Sequence, residues 1–207
     1  MRALQSLHIA QDVSHCNEGH AAFLGLERIR NLVLRRRLTF AEALEVVRSS
    51  SLFTTHTPVP AGHDAFPEAM VRQYLSHYPG ELGIDWAQFI GLGRVDPEDP
   101  NEKFSMSVLA CNLSQEVNGV SWLHGEVSKE ILGNLWPGYF KNELHIGYVT
   151  NGVHFPTWTA MRLRRLYARY FPEGFEGHEY RISEWKKVYD IPDEDLWRLS
   201  LIHISEP

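Results

Sequence analysis

Cysteine is scarce in this chain: Cys16 and Cys111 are the only two among 207 residues. Two thiols set in apolar or mixed segments make no disulfide framework, and a reducing cytoplasm is the compartment they point to. Long apolar runs are missing as well. None approaches the ~18 residues of a membrane helix, and the opening MRALQSLHIAQD lacks the basic-then-apolar order of a secretory signal. No membrane partner is expected. Positive charge is in deficit too: 20 Lys and Arg stand against 26 Asp and Glu, for a net charge of -6. That balance excludes the basic footprint of a nucleic-acid binder. The one basic cluster, Arg35-Arg36-Arg37, closes a helical pattern, where the helix dipole favours cations.

What is present is enough apolar material, 43% of the residues, to bury a real core. Asp12 to His15 reads as a strand end. Residues 19–37 then place Ala22, Phe23, Leu26, Ile29, Leu32 and Val33 at helical spacing. Thr39-Phe40-Ala41-Glu42 has capping-box order, predicting a helix over 40–48 before a short strand at 51–55. Helices are predicted over 67–78 and 85–92, then an acidic connection over 95–103. Two more, 106–113 and 122–132, are split by the turn signal Asn118-Gly119. Residues 145–150 alternate like a strand and 157–170 are again helical. This rhythm of strand, loop and helix predicts an α/β fold.

The stretch TTHTPVPAGHD, residues 54–64, has no helical or strand period of its own. It follows a predicted strand, and in open α/β sheets ligands bind beyond the strands' carboxyl ends. His20, His56 and Asn151 each follow a strand-like segment in this way. Proline and glycine nearby restrict the backbone, as orienting a hydroxylated substrate requires. Eleven histidines raise the question of a metal, but HCNEGH spaces His15 and His20 five apart with a glycine between. That is no metalloprotease motif, and no metal is expected. Structural roles compete, His20 and His63 being candidates to satisfy buried backbone carbonyls. The acids Asp96, Glu98 and Asp99 sit too close together for a glycosidase pair. Most of the six tryptophans fall at helical core spacing, Trp136 beside Pro137-Gly138 being the exception.

Four blocks in order, HCNEGHAAFLGLERIR (15–30), FTTHTPVPAGHDAF (53–66), NLSQEVNGVSWLHGEVSKEI (112–131) and GYVTNGVHFPTWTA (147–160), resemble the α-glucan (glycogen/maltodextrin) phosphorylases, in particular their shorter bacterial and archaeal branch. The resemblance implies a glycosyltransferase that uses orthophosphate to release α-glucose 1-phosphate from an α-1,4-glucan with retention. It implies pyridoxal phosphate as cofactor and a cleft between two Rossmann-like domains of the glycosyltransferase B type. His56 matches the family histidine whose carbonyl lies near the developing oxocarbenium, and is the expected catalytic residue. Asn151 matches the asparagine reaching the 6-hydroxyl, and His20 and Glu18 match the residues lining the adjoining sugar pocket, all expected to bind substrate.

None of Lys103, Lys129, Lys141, Lys186 or Lys187 matches the family's pyridoxal lysine, so no cofactor-binding residue is expected in this chain. The resemblance implies an internal fragment. Residues 1–150 correspond to the latter part of the N-terminal domain, 151–200 to the crossover and start of the second, and 201–207, LIHISEP, to a helix-breaking tail of artefactual origin. Such a piece is expected to be inactive alone and to lack its C-terminal domain as partner. A non-catalytic carbohydrate-binding module is the alternative, and a metallohydrolase built on the histidines a third.

Overall fold

The computed structural model describes residues 2–59, 63–172 and 175–205. Pro60, Ala61 and Gly62 of the histidine-bearing loop, and Glu206 and Pro207 of the tail, lie outside the described residues. Contacts divide the chain into two units, Met1–Asn151 and Gly152–Pro207.

The first unit opens with helix α1 (Arg2–Ser6) and strand β1 (Ser14–Asn17). A 3-10 turn leads into α2 (Phe23–Arg36), followed by α3 (Phe40–Ser49) and β2 (Ser51–Thr54). The expected capping box is formed: Glu42 N donates to Thr39 Oγ1 (3.3 Å) and Thr39 N to Glu42 Oε2 (2.8 Å), so α3 starts where two otherwise orphaned donors find acceptors. Beyond β2 come β3 (Ala65–Phe66), α4 (Glu68–Leu75), α5 (Tyr78–Leu82), α6 (Trp86–Gly91), β4 (Phe104–Ser105) and α7 (Met106–Asn112). Then β5 (Glu116–Gly119), α8 (Trp122–Leu132) and β6 (Ile146–Tyr148) complete the unit. Four strands form one parallel sheet in the order β1-β2-β5-β6, and β3 pairs antiparallel with β4. This is an α/β architecture consistent with a Rossmann-like fold. Phe53, Val117 and Ile146 of the sheet are buried in one core with Leu26 and Ile29 of α2, Val47 of α3 and Leu109 of α7, the cover on its faces that a parallel sheet needs.

Three expectations are corrected. Asn118-Gly119 is no turn but the end of β5: Asn118 is buried with its side chain bonded to Thr54 and to the Gly119 carbonyl, so it sits in a sheet without unpaired polar atoms. The helical pattern over 67–78 ends at Leu75, and α5 carries Pro79 in its first turn. The core reading of the tryptophans fails at Trp122, Trp158 and Trp197, which are 61%, 78% and 63% exposed. Trp136, the one set apart in sequence, is half-buried against the core.

Glu68 ties α4 to α6 and to the loop behind it. It accepts from Arg72 Nη2 (2.9 Å), Trp86 Nε1 (2.8 Å) and buried Arg94 Nη2 (2.8 Å). These bonds, that from Arg72 foremost, pull its carboxyl down from 4.5 to about 2. A pKa lowered by folding gives stability that is complete above 4.5 and is lost as pH falls through about 2. The stability gap between the protein and Glu68→Gln, measured by urea unfolding, is therefore expected to hold steady down to about pH 4.5 and to close on approach to pH 2. A gap unchanged at the acid end would show that the ionised carboxylate contributes nothing.

The second unit holds α9 (Phe155–Trp158), α10 (Met161–Tyr170), a 3-10 segment (Glu184–Asp190) and α11 (Asp193–Ser205). The single helix expected over 157–170 is broken at Thr159-Ala160, both in extended conformation. Phe155, Leu166, Phe171, Phe175 and Ile191 form its core, with Trp185 edge-on to Phe155, Phe171 and Phe175. The tail was expected to break the helical pattern, yet α11 runs through Leu201-Ile202-His203-Ile204 to Ser205. No glycine or proline stands between Asp193 and Glu206 to stop it.

Candidate functional site

Because the four strands are parallel, their carboxyl ends share one edge of the sheet, and the segments leaving them are laced by backbone bonds. Glu18 N donates to Thr54 O (2.9 Å), Thr55 N to Asn118 O (3.0 Å), Val149 N to Gly119 O (3.0 Å) and Asn151 N to Val120 O (3.1 Å). The strand order thus brings the expected site residues to a common edge. The segment carrying Glu18 and His20 adjoins the one carrying His56, and Asn151 stands two strand positions from His56, about 10 Å at the usual strand spacing. His20, His56 and Asn151 are all exposed there.

Glu18 binds the first two segments together. Its Oε1 accepts from the His56 amide and from Thr57 Oγ1 (3.1 Å). Its own backbone has φ 66° and ψ 163°, a region open almost only to glycine and costing another residue about 1–3 kcal/mol. The carboxylate, expected to line the sugar pocket, is thus engaged with protein on one oxygen.

Beside it, Gly19 lies against the start of α7, where a methyl group would stand 2.9 Å from Ser107 Oγ. Glu18, Gly19, His20, Thr57, Asp64 and Ser107 line a cleft of ≈ 220 Å³. His63 Nδ1 bonds that same Ser107 hydroxyl (2.6 Å). The expectation that His20 and His63 satisfy buried carbonyls is therefore corrected: His63 pairs with a hydroxyl, and His20 is exposed.

Sequence reasoning missed a polar chain beneath this edge. Thr54 Oγ1 donates to Asn118 Oδ1 (2.7 Å), and Asn118 Nδ2 donates to Gly119 O (3.2 Å). With its proton so committed, Thr54 Oγ1 is the acceptor for His15 Nε2–H (2.6 Å). Three strands are pinned side to side by this chain. Its members lie in the quoted blocks, but only the pairing of β1, β2 and β5 shows that they meet.

Pyridoxal phosphate does not fit the residues of this cleft. Its lining carries two carboxylates, Glu18 and Asp64, and neither lysine nor arginine, so it offers no amine for the aldehyde and no cation for the phosphate. Of the lysines, Lys129 and Lys141 are paired with Glu126, and Lys187 with Asp190. Among the described residues no group of three His, Cys, Asp or Glu is placed to hold a metal ion, and no helix is long and apolar enough to cross a membrane.

No family model matches the chain. It is 42% identical over 199 residues to a glycogen phosphorylase of Mycobacterium tuberculosis, covering 90% of this chain and 22% of that protein. It is 41% identical over 201 residues to a maltodextrin phosphorylase of Thermococcus litoralis, covering 97% and 23%. Similarity to an Aquifex aeolicus glycogen phosphorylase is 42% over 196 residues, covering 94% and 27%. The chain thus spans about a quarter of the length of these curated relatives.

Proposed function

Because the chain belongs to the α-glucan phosphorylase family, we propose that it forms the glucose-holding wall of a phosphorylase cleft. The whole protein then transfers the terminal glucose of an α-1,4-glucan to orthophosphate, giving α-glucose 1-phosphate with retention. Residues 1–150 belong to the first domain of a two-domain glycosyltransferase B-type fold, and 151–200 begin the second. The cytoplasm is its compartment. In the whole protein pyridoxal phosphate would supply proton transfer through its phosphate, and the groups that would hold it, with the second domain, belong to the part of that protein this chain does not span.

One observation carries the reading: Glu18 Oε1 takes both the His56 amide and the Thr57 hydroxyl. The His56 carbonyl lies between those two donors along the chain. Fixing both sides of it preorganises its dipole, which is what stabilising a cationic sugar transition state requires, because no reorganisation is then needed as charge develops. His56 is the catalytic residue. Asn151, held across from it by the Val120 carbonyl, and His20 orient the sugar hydroxyls, and Glu18 holds the loop.

The isolated chain should bind maltotetraose weakly and release no glucose 1-phosphate. Calorimetric titration of the chain and of Asn151→Ala tests this. Removing the amide should cost about ten-fold in affinity, the equivalent of one hydrogen bond of ~1.4 kcal/mol. Equal binding by the variant would remove Asn151 from the site, and glucose 1-phosphate formed by the chain alone would overturn its inactivity.

A further inference from the structure

At the opposite, amino edge of the sheet, backbone bonds draw together the segments entering β2, β5 and β6. Gln115 N donates to Arg48 O (3.1 Å) and Ser51 O (3.2 Å), and Val117 N to His145 O (3.1 Å). Together with Trp136 and Tyr139 these segments wall a pocket of ≈ 320 Å³, within the range of about 300–1,000 Å³ usual for small-molecule sites. Three of the lining side chains are aromatic rings. The His145 ring contacts both others, 6.4 Å from Trp136 and 6.2 Å from Tyr139, tilted by 44° and 56°. Trp136 is anchored in the core while Tyr139 and His145 are exposed, so one ring of the three is held rigid.

Most of the remaining lining is polar, and its charge selects the ligand. Arg48 Nη1 stands 3.4 Å from Glu45 Oε1, so guanidinium and carboxylate offset each other. A phosphate would meet the carboxylate, and a cation the guanidinium. Neutral hydroxyls suit both, since a carboxylate accepts, a guanidinium donates and the Gln115 amide does either. We propose that this pocket is a second saccharide site, taking the end of an α-1,4-glucan with a sugar face on the aromatic rings and its hydroxyls on Glu45, Arg48 and Gln115. The choice of an α-1,4-glucan among neutral saccharides rests on the function proposed above; the location and the polyhydroxylated class do not. Strand β5 alone separates the two edges by roughly 13 Å, so one glucose ring cannot occupy both sites.

The test is a ¹H–¹⁵N titration of the 207-residue chain with maltotetraose. Shifts are expected at Gln115, Tyr139 and His145 as well as at His56 and Asn151. The double variant Glu45→Ala/Tyr139→Ala alters exposed side chains only, and should weaken binding at the amino edge about ten-fold while shifts at His56 and Asn151 persist. Gln115→Ala, also exposed, provides a second and milder variant. Shifts confined to the carboxyl edge would overturn this pocket and leave the proposed function standing. Shifts confined to the amino edge would support the pocket and count against His56 and Asn151 as the sugar-holding groups. Equal shifts at Gln115 and His145 with cellotetraose would overturn the α-1,4 assignment.

Discussion

Glu18→Ala is expected to loosen the His56 loop and abolish measurable maltotetraose binding at the carboxyl edge, with a loss of global stability that reflects its two lost hydrogen bonds. Bonds to a charged group contribute about 1.5–3 kcal/mol each. The backbone at φ 66° and ψ 163° is as strained with alanine as with glutamate, and only glycine relieves it. Glu18→Gly should therefore be more stable than Glu18→Ala by about 1–3 kcal/mol while binding no better. Glu18→Gln keeps an acceptor for the His56 amide and should retain part of the binding. Urea midpoints for the three variants, with hydrogen exchange at the His56 amide, separate the effects. Exchange at His56 as slow in Glu18→Ala as in the parent would show that the carboxylate does not hold the loop. Glycine and alanine variants of equal stability would show that the strain costs nothing.

That pairing of strain with a buttressed loop could not be read from the sequence. What could be read was the chemistry of the ends: His20, His56 and Asn151 follow strand-like segments, and the parallel order of the sheet then brings those ends to one edge. The helices with strong local signals also came through, α3 from its Thr39-Glu42 box and α8 from the helical pattern over 122–132. Failures cluster where tertiary pairing outweighs local preference. Asn118-Gly119 carries a turn signal, but Asn118 finds side-chain partners inside the sheet and Gly119 is needed where α8 comes close. Trp122, at the first turn of α8, has core-like spacing yet lies exposed, because only the Leu132 end and the His124-Gly125-Ser128 face of that helix are buried. Glu18 offers no signal for its positive φ, since that conformation is imposed by partners 38 and 39 residues away.

At Gly119 the fold and the site meet, and Gly119→Ala should have a large effect at this edge. A methyl group there would lie 2.7 Å from Gly125 N, 2.9 Å from His124 Nδ1 and 3.0 Å from Gly125 Cα. Two of those three are backbone atoms of α8, so no rotamer change relieves the clash and the helix itself must move. It has little room, because Gly125 already packs on β6: a methyl group at 125 would meet Gly147 O and Tyr148 Cβ at 3.1 Å. Overpacking of this kind costs about 1–3 kcal/mol and occasionally more. Displacing α8 also breaks the bond from Val120 N to His124 Nδ1 (3.1 Å) and disturbs the Val120 carbonyl that holds the Asn151 amide. The Asn151 side of the cleft should therefore lose its order while the Glu18–His56 side keeps it. Gly147→Ala is the matched control, a strand glycine with open space around its missing side chain, and should change stability by only a few tenths of a kcal/mol. Matching urea midpoints for the two variants would mean that α8 yields freely. Loss of amide shifts at both His56 and Asn151 in Gly119→Ala would mean that the two sides of the cleft are one cooperative unit rather than separately anchored loops.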